Sequence, residues 1–271
     1  SFGLVNSKLF FLIIFICSLK TSILIFVEGY LFSSNLWYIK DIIPFSVFKL
    51  FIVVPKDLLI DTNSSINTTV MNFLSIDFST DIGSLFVKSE SKTFNKTLQS
   101  YKSSNDLLMM QILDFFRENN IKFDDLSHIF VNQGPGNFSG LRGSLATAKG
   151  VGLAKNLYLY GYNTFIWSCA KFLNKKDSIF SFIKFREKYF VKKFDKNLKS
   201  ISNIKEVTVD EILKKYDGQF NVIPNNLAKY FDSRILKLNN LNIVDLDHNA
   251  LQSLKLKGLL DKKLIKPLYL S

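Results

Sequence analysis

A nonapeptide, Gly134-Pro135-Gly136-Asn137-Phe138-Ser139-Gly140-Leu141-Arg142, constrains this chain more than any other stretch of its sequence. An apolar run, Ile129-Phe130-Val131, precedes it, and a stretch rich in small residues (141–156) follows, so the order reads strand, glycine-rich turn, helix. In that setting backbone N–H groups at a helix N-terminus can face an anion. Gly134, Gly136 and Gly140 permit positive φ and close backbone approach, and Pro135 stiffens the turn. A Gly-Pro-Gly turn by itself leaves two readings open: an anion cradle, or a tight strand-to-helix connection packed against its own domain.

Upstream, residues 73–77 and 83–87 are short apolar runs joined by Phe78-Ser79-Thr80-Asp81, which suits a hairpin with Asp77 at a strand end. A third strand follows at 92–98. Ser103, Ser104 and Asn105 offer N-caps for a helix over 106–119. That helix is apolar at Leu107, Leu108, Met109, Met110, Ile112, Leu113, Phe115 and Phe116, more than one buried stripe requires. The helix over 141–156 is the opposite case, with Gly143, Ser144, Ala146, Ala148, Gly150 and Gly152. A glycine inside a helix costs about 0.8 to 1 kcal/mol relative to alanine, so close approach of another helix is the expected compensation.

Beyond a strand at 158–160 and a short helix at 164–173, the pattern changes. Residues 178–185 and 188–194 alternate apolar and polar around Arg186-Glu187, reading as a second hairpin that opens a second lobe. Thr208 and Glu211 have capping-box spacing for a helix over 209–216, and a strand at 220–223 is stopped by Pro224. The order β-β-β-α-β-α followed by a partial copy implies an α/β protein of two lobes, 71–175 and 176–271.

Residues 1–70 are different in kind. They contain no methionine, five Lys and four acidic residues, whereas the remainder carries +11 of the net +12. Residues 61–69 form a polar linker. The apolar run 9–19 has 11 residues and resumes at 22–27 after Lys20 and Thr21. Spanning a bilayer takes about 20 apolar residues, so a span would place Lys20 near its middle. The segment is read as a non-native extension, with a membrane anchor or a folded addition as alternatives. Cys17 and Cys169 make no disulfide framework, which points to a reduced, cytoplasmic setting. A net charge of +12 permits nucleic-acid contact without demonstrating it.

Over residues 134–149 the run GPGNFSGLRGSLATAK resembles the signature of the TsaB family, partners of TsaD-type threonylcarbamoyltransferases. Met71-Asn72-Phe73-Leu74-Ser75-Ile76-Asp77-Phe78-Ser79-Thr80 resembles that family's first strand and turn, and Pro267-Leu268-Tyr269-Leu270 its closing segment. The resemblance implies an ASKHA fold (actin-like ATPase, ribonuclease H-like) with a reduced second lobe. It implies a non-catalytic scaffold that pairs with a TsaD-type transferase, with a TsaE-type ATPase as a further partner, tRNA met indirectly, and homodimers when alone. Membrane contact would require residues 1–70. Asp77, Ser79, Thr80, Gly134, Gly136, Asn137, Ser139, Gly140 and Arg142 would be a vestigial phosphate-loop set. The first-lobe helices would supply the partner surface through Leu108, Ile112, Phe116, Ala146, Gly150 and Leu153. No cofactor is expected on this chain by itself, with ATP or ADP placed at the complex interface.

Departures from the family pattern thin the ligand chemistry. Phe78 stands where the family has Thr, Asn137 and Ser139 replace Ser and Thr, Gly143-Ser144 follows Arg142, and Ser271 replaces Arg. Past Gly161 only Gly218 and Gly258 remain, so no paired-glycine adenosine loop exists. His128 and His248 lack histidine partners at helical spacing, so no metal site and no catalytic residue is expected. His128 reads as a strand-edge residue and His248 as a helix-start residue. The rival is a self-sufficient ASKHA phosphotransferase using Asp77 and the Gly134 loop.

Overall fold

The computed structural model describes residues 13–16, 23–27, 30–33, 71–99 and 107–270. The chain divides into two compact units, Ser1–Asn67 and Thr68–Ser271. In the first, strands β1 (Ile13–Ile16), β2 (Ile23–Val27) and β3 (Tyr30–Ser33) form an antiparallel sheet. The linker at 61–69 and the N-caps at 103–105 lie outside the described residues, as does most of the segment read as an extension. No helix among the described residues is long and apolar enough to cross a membrane.

The larger unit is built on two five-stranded sheets. The first has β4 (Phe73–Asp77), β5 (Ile82–Ser89), β6 (Lys92–Gln99), β7 (His128–Asn132) and β8 (Tyr158–Tyr162) in the order β6-β5-β4-β7-β8. The hairpin strands β4, β5 and β6 pair antiparallel, and β7 and β8 join in parallel after helix crossovers. The second sheet has β9 (Ser178–Phe185), β10 (Lys188–Asp195), β11 (Lys205–Val207), β12 (Asn221–Pro224) and β13 (Leu241–Val244) in the order β11-β10-β9-β12-β13. Its pairing is the same, two antiparallel joins and then two parallel ones. The second lobe is therefore a full five-strand copy and not a partial one. Its reduction lies in strand length, since β11, β12 and β13 have three or four residues each.

Alternation along β4 explains how the lobes share a core. Leu74 and Ile76 face one way and pack with Leu85, Val87, Ile129 and Val131 under helices α1 (Leu108–Glu118) and α2 (Phe138–Ala154). Phe73 faces the other way and joins Phe86, Phe130 and Tyr162 in a second cluster that runs on through α3 (Thr164–Cys169) into the second lobe. Phe73 meets Phe130 edge to face at 4.8 Å. Helix α4 (Val209–Tyr216) starts in the expected capping box: Glu211 N–H donates to Thr208 Oγ1 at 3.2 Å and Thr208 N–H to Glu211 Oε2 at 3.1 Å. Helices α5 (Asn225–Ala228) and α6 (Ala250–Leu256) complete the second lobe. From α6 the chain returns to the first lobe. Gly161 and Asp261 exchange backbone hydrogen bonds of 2.8 and 2.9 Å, Ile265 enters the first core, and Leu268 N–H donates to Gln133 O at 2.7 Å.

Candidate functional site

Where β4 and β7 end side by side, the first turn and the glycine loop are fastened to each other. Asp77 Oδ1 accepts from the Ser79 N–H (2.9 Å) and from Asn132 Nδ2 (3.0 Å). Asn132 is the hub: its amide also lies 3.2 Å from Ser79 Oγ and 3.1 Å from Thr164 Oγ1, and its carbonyl accepts from Gly134 N–H at 2.8 Å. Backbone bonds close the ring, Asn137 N–H to Ser79 O at 2.8 Å and Thr164 N–H to Gly134 O at 2.9 Å. Asn137 then caps α2 by accepting from Ser139 N–H at 3.2 Å. Asn132→Ala would leave the Gly134 N–H and a buried carboxyl short of partners. The expected loss is about 2 to 3 kcal/mol in urea unfolding, by the cost of unsatisfied buried groups.

The glycines are explained by this fastening. A Cβ on Gly136 would run into the carbonyl of Ser79, and one on Gly140 into the carbonyl of Phe78. Gly134 sits at φ 105°, where side chains are strained. What comes close to the loop is the chain's own first turn. The close approach that Gly136 permits is thus used within the chain, between its own backbone and that of Ser79. Burial raises the Asp77 carboxyl above its usual range against the lowering effect of its hydrogen bonds, and raises the Tyr162 hydroxyl as well. Among the described residues no group of three His, Cys, Asp or Glu could hold a metal.

Of the remaining residues of the sequence-derived loop set, Thr80 Oγ1 donates to Ile82 O (2.9 Å) and Ser139 is exposed. Arg142 lies over the Phe138 ring at 5.1 Å, and Phe138 stacks on Tyr269 at 5.3 Å, apart from the Asp77 network. Two cavities flank Thr80, Asp81 and Tyr230 in the cleft between the lobes. One, of about 340 Å³, joins Ser79 and Asn137 to Lys184 and Arg186 of the β9–β10 hairpin. The other, of about 400 Å³, is lined by Asp77, Ser84, Lys229 and His248.

His248 is the residue that sequence reasoning placed least well. It does precede α6, but its ring bridges two first-lobe strands: Nδ1 lies 2.9 Å from Ser75 Oγ and Nε2 3.1 Å from Ser84 Oγ. It stacks on Phe86 at 5.1 Å and lies 4.8 Å from Trp167. Burial pushes its pKa down to about 3, and burial, with Lys255 beside it, pushes His128 down to about 4. Both imidazoles are neutral in the fold and charge on unfolding. This contribution to stability is complete above pH of about 6.5 and is lost progressively as pH falls from there toward the folded values. For His248 the expected loss between pH 7 and pH 4 is on the order of 3 kcal/mol. Urea midpoints at the two pH values should differ less in His248→Phe than in the parent chain. Cys169 is no nucleophile, since burial raises its thiol to about 12.

The expected partner surface needs correction. Leu108, Ile112 and Phe116 are packed in the first core, at most 3% exposed. Eight apolar positions leave the phase of α1 ambiguous, and the structure turns Leu107, Met110 and Leu113 outward. On α2, Ala146, Gly150 and Leu153 do lie on the outer face, Leu153 at 87% exposure. A Cβ on Gly150 would meet nothing within 4 Å. Its own fold does not require that glycine.

Comparisons with known proteins bear on this architecture. A family model described as "TsaD: tRNA N6-adenosine threonylcarbamoyltransferase" matches residues 99–180. The tRNA threonylcarbamoyladenosine biosynthesis protein TsaB of Buchnera aphidicola subsp. Baizongia pistaciae is 27% identical over 84 residues, 31% of this chain and 38% of that protein. Two Pseudomonas aeruginosa structures share the fold across 74% of this chain and 100% of theirs. One is titled YeaZ (TM-score 0.56, 14% identity); the other is titled an uncharacterized protein with similarity to peptidase YEAZ (TM-score 0.57, 13% identity). The sequence matches make part of this chain similar to TsaB and to the TsaD-type family model, and the two structures share its fold. The two mixed five-strand sheets with helices form an α/β architecture shared with these two Pseudomonas aeruginosa structures. The sequence match spans 38% of the TsaB relative's length.

Proposed function

We propose that this chain is a non-catalytic subunit in tRNA threonylcarbamoyladenosine synthesis, pairing through the outer face of α2 with a TsaD-type transferase. The observation that carries this reading is a contrast between two sets of glycines. Gly136 and Gly140 are required by the loop's contact with the first turn, whereas Gly150 has open space around it on an exposed helix face. An interior helix glycine costs about 0.8 to 1 kcal/mol, so a glycine that nothing in the chain requires fits close approach by another molecule. Ala146 and Leu153 extend that face, and Leu107, Met110 and Leu113 add exposed apolar side chains on α1. The partner would bring the transfer chemistry and any metal. A TsaE-type ATPase and tRNA belong to the same proposed assembly, with ATP or ADP at an interface.

Co-expression of the full chain with a TsaD-type protein from the same source, followed by light scattering on the purified material, tests the pairing. A mass equal to one copy of each is expected; separate elution of the two proteins would count against it. The rival reading, an independent ASKHA phosphotransferase, is favoured only by the position of Asp77 in the cleft. ATP turnover by the purified chain that disappears in Asp77→Ala would establish that rival.

A further inference from the structure

We propose that the second lobe carries a separate site for a nucleoside phosphate, on the sheet face opposite α3. Side-chain alternation puts Phe180 of β9 and Val191 and Lys193 of β10 on this face, with Lys193 paired directly to Phe180. Tyr216 of α4 meets Phe180 edge to face at 5.1 Å, and Ile204 closes the floor. The result is a cavity of about 420 Å³ with an apolar floor of two aromatic and two branched aliphatic side chains. Ligand pockets of roughly 300 to 1,000 Å³ hold single small molecules, so a nucleotide fits this volume.

The rim supplies the polar half. It is held in place by Asp195, whose carboxylate accepts from Asn197 N–H (2.9 Å) and Lys199 N–H (2.8 Å). Ile201 N–H donates to Lys193 O (2.9 Å), Lys193 N–H to Ser202 Oγ (3.1 Å), and Ser200 Oγ to Ser202 O (2.8 Å). Lys193 and Lys205 stand at this rim with Asn203, and no carboxylate lines the cavity. Of the carboxylates near it in sequence, Asp217 accepts from Asn239 N–H at 2.9 Å, Glu206 pairs with Lys188 at 3.0 Å and Glu211 with Lys215 at 3.3 Å. Lys205 acts on Glu211 through its charge without forming an ion pair among the described residues. Residues 176–271 hold 19 Lys and Arg against 11 Asp and Glu, so the wider field also favours an anion. The Lys193 ammonium lies over the Phe180 ring, 5.1 Å from its centroid; with that flexible side chain swung outward to a phosphate beside Lys205, a planar base would lie on the apolar floor, and the Asn203 amide can both donate to and accept from its edge. The same chemistry is offered by a free mononucleotide and by one unit of an RNA strand.

Amide chemical shifts of the full chain, titrated with AMP, with an oligouridylate of about ten nucleotides and with a polyglutamate peptide, test the assignment. AMP should move the amides of residues 201–205 and Tyr216. Lys205→Glu, an exposed change, should weaken binding roughly tenfold, and Lys193→Glu with Lys205→Glu should abolish it. Tighter binding of AMP assigns a free nucleotide as the source; tighter and strongly salt-dependent binding of the oligouridylate assigns RNA. The proposal is overturned if AMP moves only Thr80, Asn137 and Arg186 in the cleft, if neither nucleotide probe shifts residues 201–205, if Lys205→Glu binds as the parent does, or if polyglutamate binds more tightly than both nucleotides.

Discussion

Gly136→Ala is expected to cost this chain about 3 kcal/mol of stability, the upper range for a group forced into a packed site, and so to lower its melting temperature by roughly 10 °C. The new Cβ meets the carbonyl of Ser79, which is backbone and cannot swing aside as a flexible side chain would. Relief requires the loop to lift from the first turn. That sacrifices the bond from Asn137 N–H to Ser79 O and disturbs the Asn132 hub beneath it. Gly152→Ala is the control, because its Cβ would make ordinary contact, 3.6 Å from Leu157 O, and it should be neutral or stabilising. The comparison separates the two explanations of the loop. If Gly136 existed to let a ligand approach, Gly136→Ala would leave the melting temperature of the unliganded chain near that of the parent.

The second large effect is expected at Gly150. Gly150→Arg adds a long side chain where a Cβ meets nothing, and arginine has a higher helix propensity than glycine, so the chain by itself should be as stable as before or slightly more so. Pairing with the TsaD-type protein should nevertheless weaken by about 100-fold or more, since a charge and a long side chain would stand in a close helix contact. Leu108→Ala, formerly an interface position on sequence grounds, should behave in the opposite way. It empties core volume at a 1% exposed site and lowers stability by about 2 to 5 kcal/mol. Isothermal titration of each variant, beside its thermal melt, distinguishes a surface role from a core role for both helices.

Much of the fold was legible because local rules and global packing agree. The hairpins around Ser79-Thr80 and Arg186-Glu187, the capping box of Thr208 and Glu211, and the strand-turn-helix order at Gly134 each have a short-range signature, and the structure has all of them. The strand β13 was not legible, for Leu241–Val244 has only two strong strand formers and owes its state to parallel pairing with β12. Phase along α1 was not legible either, since nearly every position from Leu107 to Leu113 is apolar and only contact with the sheet decides which of them turn inward. The meaning of the Gly134 loop was half legible. Its glycines announced a close approach, but the approaching group, Ser79 and Phe78 of the chain's own first turn, lies more than fifty residues away in sequence. His248 shows the same limit, because its serine partners are 164 and 173 residues distant and no local pattern could connect them.

The proposed role of this chain is to support a reaction performed by a partner. It is tested most directly by reconstituting that reaction: tRNA, threonylcarbamoyl donor and the TsaD-type and TsaE-type proteins from the same source, with and without the full chain, read out by nucleoside mass spectrometry. Threonylcarbamoyladenosine is expected only when the chain is present, retained with Asp77→Ala in a folded protein and lost with Gly150→Arg. Equal product without the chain, or product that survives Gly150→Arg and vanishes with Asp77→Ala, would contradict that role.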